Sequence, residues 1–182
     1  MAVVLLLINI VNLKTTQNAN AAIEANIAAM ASNGNIRAEQ ALSGEPIKLT
    51  IPSRGIVVDV IPGDYNISDR TWTLTKTNAH FAVEGALANN SEGQTFIYGH
   101  NTAEVLGPAA EVKPGDILNL ETSNGYLFSY QFIDSQTVWP TNTTVLDFDT
   151  KQPELLLMLC TGSWNEYRLA MNFQLIGAKE IE

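Results

Sequence analysis

The chain has one cysteine, Cys160, and it closes the apolar run LLLMLC at residues 155–160. Arg168 follows across the loop TGSWNEY, and His100 closes a second apolar stretch, TFIYGH. A thiol, an imidazole and a guanidinium form a coherent chemical set. The thiol is mostly protonated near neutral pH, with an unperturbed pKa of about 8.5, and the thiolate is the reactive form. An imidazole can pair with the thiolate, or take its proton and return it to a departing amine. A guanidinium stays charged and can hold a developing oxyanion or orient a carbonyl. Together they suit acyl transfer from an amide through a thioester. Composition alone reads each more blandly: a lone cysteine after an apolar run as a small buried hydrophobe, a lone histidine as structural, an arginine at a strand start as a solvated ion.

The elements that carry these residues read as strands. IKLTIPSRGIVVDVIP suggests two short strands around a turn, rich in β-branched residues with proline at the edges. QTFIYGH is another strand. GDILNLETSNGYLFSYQFIDSQTVW holds two alternating runs joined by Ser123-Asn124-Gly125, and Asn-Gly is the strongest short hairpin signal. PELLLMLC is continuously apolar, as in a strand buried on both faces, and RLAMNFQLIGA alternates. If the last two strands pair antiparallel, Cys160 and Arg168 emerge at the same sheet end. His100 also stands at a strand-to-loop boundary, where catalytic groups mounted on a rigid scaffold are usual. Six to eight strands with brief helical patterns predict a mainly β, closed or nearly closed barrel. The rival base, His80, lies in KTNAHFAVEG, which reads as turn-rich with no strand before it.

Composition narrows the function. A net charge of −9, with ten Lys and Arg in 182 residues, excludes nucleic acid, which demands a basic face. One cysteine makes no internal disulfide, and with two histidines it falls short of the four ligands of a structural zinc site. No carboxylate cluster is dense enough to predict calcium. The expectation is no metal and no cofactor.

The N-terminal run MAVVLLLINIVNL is apolar for thirteen residues, shorter than the roughly 20 a membrane span needs. It fits the trimmed end of an anchor, a weak uncleaved anchor, or an apolar helix packed on the domain; the first two are favoured. Residues 15–43 are rich in Ala, Asn and Gln, and Ile23, Ile27 and Met30 make a narrow helical stripe. A stalk is favoured over an appendage that covers the site. The expected organisation is an apolar segment at 1–14, a helical stalk or linker at 15–46, and a β-barrel domain at 47–182.

LLMLC at 156–160, YGHN at 98–101 and Arg168 together resemble the sortases, cysteine transpeptidases of bacterial surfaces built on an eight-stranded β-barrel. The likeness extends over residues 47–178 and includes LTIPSRGIVVDV and the Lys-Pro-Gly-Asp turn of VKPGDILNLET. It implies Cys160 as nucleophile, His100 as acid and base, and Arg168 as the oxyanion and substrate-positioning group. It also implies substrate contacts at Leu159, Trp164 and Asn101. The family strand reads Thr-Leu-x-Thr-Cys, whereas both threonines are leucine here, Leu156 and Leu159, which bears on substrate choice. Leu159 would make the groove more apolar; Trp164 would stack on substrate or shield the thiol, or else clasp the barrel end. The implied partners are a peptide sorting signal of surface proteins, an amine acceptor from peptidoglycan or pilin, and a membrane through the N-terminal segment. The implied location is the cell membrane, with the domain outside. The alternative is a sortase-fold module that binds peptides or proteins and no longer catalyses.

Overall fold

The computed structural model describes residues 41–69 and 71–181. The expectations for the apolar run and most of the stalk, residues 1–40, lie outside them.

Among the described residues, twelve strands follow in chain order. They are β1 (Ser43–Gly44), β2 (Pro46–Ile51), β3 (Ile56–Gly63), β4 (Tyr65–Asn66), β5 (Thr71–Trp72), β6 (Ala79–Ala82), β7 (Ala88–Asn89), β8 (Gly93–Gly99), β9 (Ile117–Thr122), β10 (Tyr126–Val138), β11 (Pro153–Thr161) and β12 (Tyr167–Glu180). Eight of them close a barrel in the order β10-β12-β11-β8-β6-β3-β2-β9. The β3–β6 and β8–β11 pairs are parallel and the other barrel pairs antiparallel. β1 pairs with β7, and β4 with β5, outside the barrel. The only helical elements among the described residues are two short 3-10 turns, Pro52–Arg54 and Gly107–Glu111.

The expected hairpin turn at Ser123-Asn124-Gly125 joins β9 to β10, with Gly125 at φ 83°, a left-handed conformation that glycine adopts without a Cβ penalty. The segment around His80 departs from expectation. Read as turn-rich, it holds β6, a strand of four residues, AHFA, buried on every side. So short a run shows no period in sequence, and its pairing comes wholly from β3 and β8 on either side.

Alternation sorts the side chains into two layers. Leu155, Leu157 and Leu159 point into the barrel with Ile97, Phe81, Leu120, Phe128 and Phe173. Leu156 and Met158 point outward with Phe96, Tyr98 and Ala170, into a second cluster. Trp72 from β5 and Val145, Leu146 and Phe148 from the β10–β11 connection cover that outer layer. The LLLMLC run is continuously apolar because both of its faces are covered.

At one end of the neighbouring strands β2 and β9, an ion pair ties the 3-10 turn after β2 to the Lys-Pro-Gly-Asp turn before β9. Arg54 Nε and Nη2 both donate to Asp116 Oδ2, at 3.1 and 2.6 Å, and the Lys113 amide donates to the same oxygen at 2.8 Å. Burial raises the Asp116 pKa, but these bonds outweigh it and hold the carboxyl below its ordinary value of 3.8. The depressed pKa means the contribution is present above that ordinary value and fades as pH falls through the folded one. Asp116→Asn is therefore expected to lower unfolding free energy by about 1–3 kcal/mol at neutral pH, read from urea midpoints, with the difference narrowing in acid.

Candidate functional site

Strand register sets Cys160, His100 and Arg168 side by side along the backbone, although His100 is not among the residues that line the cavity beside the other two. In the antiparallel β11–β12 pair Cys160 lies opposite Arg168. In the parallel β8–β11 pair Leu159 lies beside Gly99, so one step on Cys160 comes level with His100. Neighbouring strands lie about 4.8 Å apart, so the three backbones stand side by side at one end of adjacent strands. Alternation also assigns the face. Met158 belongs to the outer layer, Cys160 is two residues on, and both Cys160 and Arg168 line a cavity of about 770 Å³ on that side.

The cavity floor is Phe96, Tyr98 and Met158, and its walls include Trp72 and Leu74 on one side and Trp139, Leu146 and Phe148 on the other. The connections β3–β6 and β10–β11 therefore build a cleft beside the thiol. Cys160 is a free thiol and half-buried. Arg168 Nη1 donates to the carbonyls of Asn165 and Tyr167, at 3.0 and 2.9 Å. Those bonds occupy one nitrogen of the fork and fix its aim, and the guanidinium carries further donors for a ligand. The β11–β12 hairpin turns tightly over Gly162 at φ 92° and Asn165 at φ 58°. Glu166 accepts the Trp164 amide at 2.8 Å inside that turn.

Other expected contacts fall elsewhere. Leu159 is 1% exposed and its side chain belongs to the barrel interior, on the opposite face from Cys160. Any part it has in the cavity lining comes through the backbone. Trp164 is 88% exposed and does not line the cavity, so it clasps nothing here. Asn101 is exposed, in the loop after His100, and likewise lies outside the cavity lining. The aromatic that does stand at the rim is Trp139, 60% exposed and packed on Tyr167 with ring centroids 4.7 Å apart. Sequence reading missed it, as it missed Trp72 and Phe148, because these reach the groove from the β3–β6 and β10–β11 connections, which have no period of their own.

His80 is fully buried. It lies opposite Tyr98 across the β6–β8 pair and stacks on that ring, centroids 5.4 Å apart. Its Nε2 accepts the Thr75 amide at 3.0 Å, which places the ring proton on Nδ1 and requires the neutral form. Burial chiefly lowers its pKa; the Pro62 carbonyl works against this, and the charge of nearby His100 adds to it. Between the two imidazoles, His100 is the one with access to solvent. Among the described residues no three His, Cys, Asp or Glu side chains gather as a metal site.

Known proteins place the chain. A model of the sortase domain matches residues 49–175. No curated protein matches the chain. Among solved structures, sortase E1 from Streptomyces coelicolor, solved with a tripeptide in its active site, is 21% identical with a TM-score of 0.62, covering 76% of this chain and 91% of that one. Sortase A from Listeria monocytogenes is 20% identical with a TM-score of 0.59, covering 75% and 91%. Sortase C1 from Streptococcus agalactiae is 18% identical with a TM-score of 0.61, covering 72% and 67%. At these identities the likeness speaks to the fold.

Two outcomes follow from the packing. Leu159→Thr, which restores the residue of the family motif, should destabilise the barrel by about 1–3 kcal/mol, since it removes buried carbon and buries a hydroxyl. A lowered urea midpoint with unchanged thiol accessibility is the expected reading. For His80, the folded pKa lies below the ordinary value of 6.5, so the unfolded chain binds the proton better. Stability should fall as pH drops through about 6.5, and His80→Gln should flatten that fall in denaturation series between about pH 8 and pH 5.

Proposed function

We propose, from the premise that this chain belongs to the sortase family, that it is a cysteine transpeptidase acting on a sorting-signal peptide. The sortases are cysteine transpeptidases, and the observation that carries the reading to this chain is the register at one end of β8, β11 and β12. It sets a half-exposed thiol level with His100 and opposite Arg168, at the mouth of an apolar cleft.

In this reading the extended peptide lies in the cleft with its scissile carbonyl at Cys160. The thiolate attacks, a carbon–sulfur bond forms, and negative charge moves to the carbonyl oxygen. Arg168 holds that oxyanion, with a fork fixed beforehand by the Asn165 and Tyr167 carbonyls. The carbon–nitrogen bond breaks as His100 delivers a proton to the departing amine, which leaves a thioester. An incoming amine from peptidoglycan or a pilin subunit gives its proton back to His100 and attacks the thioester, forming a new amide and freeing the thiol. Water in place of the amine makes the reaction a hydrolysis. The site is assembled by the domain at 47–182, and we place it at the outer face of a cell membrane, held there by the apolar run at 1–13.

Incubation with a panel of sorting-signal peptides, followed by intact-mass and peptide mapping, should reveal an acyl adduct on Cys160. Cys160→Ala should yield none, and turnover retained in that variant would remove the mechanism. Arg168→Lys should reduce kcat/KM by about 10²–10³-fold, because a point charge does not reproduce the planar fork. A module that only binds would hold these peptides with the same affinity in both variants and form no adduct.

A further inference from the structure

The cavity beside Cys160 is bipolar. Among the described residues, the two charged ones that line it are Arg168 and Glu84, and the rest of the described lining is uncharged and largely apolar. Arg168 stands opposite Cys160. Glu84 stands at the far end. β6 ends at Ala82, and Glu84 lies in the turn that follows, where the Gly85 amide donates to the Ala82 carbonyl at 3.0 Å and the Ala86 amide to the Gln94 carbonyl at 3.1 Å. The turn packs on Gln94–Phe96 of β8: a Cβ built on Gly85 would lie 3.2 Å from the Gln94 carbonyl oxygen and 3.4 Å from the Phe96 amide nitrogen. Cys160 is level with His100, four to six strand residues beyond that stretch, roughly 13–20 Å at ~3.3 Å per residue.

The Glu84 carboxylate is held in place, with Oε1 accepting the Tyr65 amide at 3.2 Å at the start of the β4–β5 ribbon. One such bond leaves a carboxylate most of its accepting capacity. Its charge reaches into the cavity: Tyr98, on the floor, has its phenol held protonated by burial and then by the negative charges of Glu84 and Asp64. Among the described residues the ion pairs are Lys48–Glu121 and Arg54–Asp116, and none of those four residues lines the cavity.

A transpeptidase must keep the acyl half of its donor after the amine has left. The apolar cleft therefore holds the residues before the scissile bond, and the acceptor enters where the amine departed. An extended peptide advances about 3.3–3.6 Å per residue, so the residues four to six before the bond reach Glu84. We infer that the cleft selects donor peptides with a lysine or arginine at one of those positions, its cation seated against Glu84 and its alkyl stem along the Trp72 and Phe96 wall. The long apolar stem and charged tip of these side chains match a wall that is apolar until its end. Glu84 is then a specificity-determining residue, and Arg168, at the other end, repels the same cation from the wrong register.

This inference rests on the cleft being the acyl-donor site, and the experiment separates the two. The full chain is incubated with a position-scanning library of blocked decapeptides, and the acyl halves trapped on Cys160 are identified by mass spectrometry. The expected adducts are enriched about 5- to 30-fold in Lys or Arg four to six residues before the cleaved bond. Glu84→Gln should abolish the enrichment, and Glu84→Lys should turn it toward Asp or Glu. Glu84 is exposed, so both variants are expected to fold. Adducts with no charge preference, or a preference unaltered in Glu84→Lys, overturn the inference and leave the transpeptidase reading standing. No adduct from any peptide overturns both.

Discussion

The parallel pairing of β8 with β11 is the constraint on which the site depends. Leu157 lies beside Ile97 and Leu159 beside Gly99. A slip of one residue would turn every side chain of β11 to the other face, carrying Cys160 into the barrel and Leu159 into the cleft. Burial resists that slip from both sides. Three leucines fill the interior and two apolar residues fill the outer layer, so each face of the strand is bound to its own cluster. Antiparallel pairing with β12 then adds Arg168 with no further specification, since a short hairpin sets its own register.

The outer layer distinguishes this barrel from one that exposes its surface to water. The β3–β6 and β10–β11 connections are long, and they do not run freely. The first folds into the β4–β5 ribbon, and its Trp72 packs against Phe96 and Tyr98 with centroids 5.5 and 5.0 Å away. The second is pinned where the Asp147 amide donates to Gln94 Oε1 at 3.2 Å and the Gly93 amide to the Thr150 carbonyl at 2.9 Å. Two anchored loops over a flat apolar floor leave a trough open at the thiol end. Apolar floor, anchored walls and a half-exposed thiol suit an extended peptide better than a compact metabolite.

Much of this was legible before any coordinates. Asn124-Gly125 marked its hairpin, β-branched runs marked β2 and β3, and the continuous LLLMLC run marked a strand covered on both faces. Cys160, His100 and Arg168 stood out because each closes or opens a patterned strand. What stayed hidden depends on contacts distant in sequence. β6 is too short to show a period and exists through its neighbours. Leu159, read as lining the groove, turns inward by the alternation that turns Cys160 outward, a consequence a strict period-2 reading of β11 already contained. Trp164 was conspicuous as an aromatic near the thiol, yet its five-residue turn is too short to fold back over the barrel. Trp139 and Glu84, which do line the cleft, lie in connections whose course only packing defines.

The claim that the thiol and the imidazole meet through strand register is tested most directly by replacing one with the other's chemistry. In a His100→Cys variant the second thiol would occupy the position level with Cys160 on the neighbouring strand, within the Cα separation of about 4.4–6.8 Å that a disulfide requires. Mild oxidation of the folded variant should form an intramolecular bridge, seen as a mass loss of about two hydrogens and the disappearance of both free thiols. Two thiols that remain fully titratable in the folded, oxidised protein would show that the strand ends do not meet, and would contradict the account.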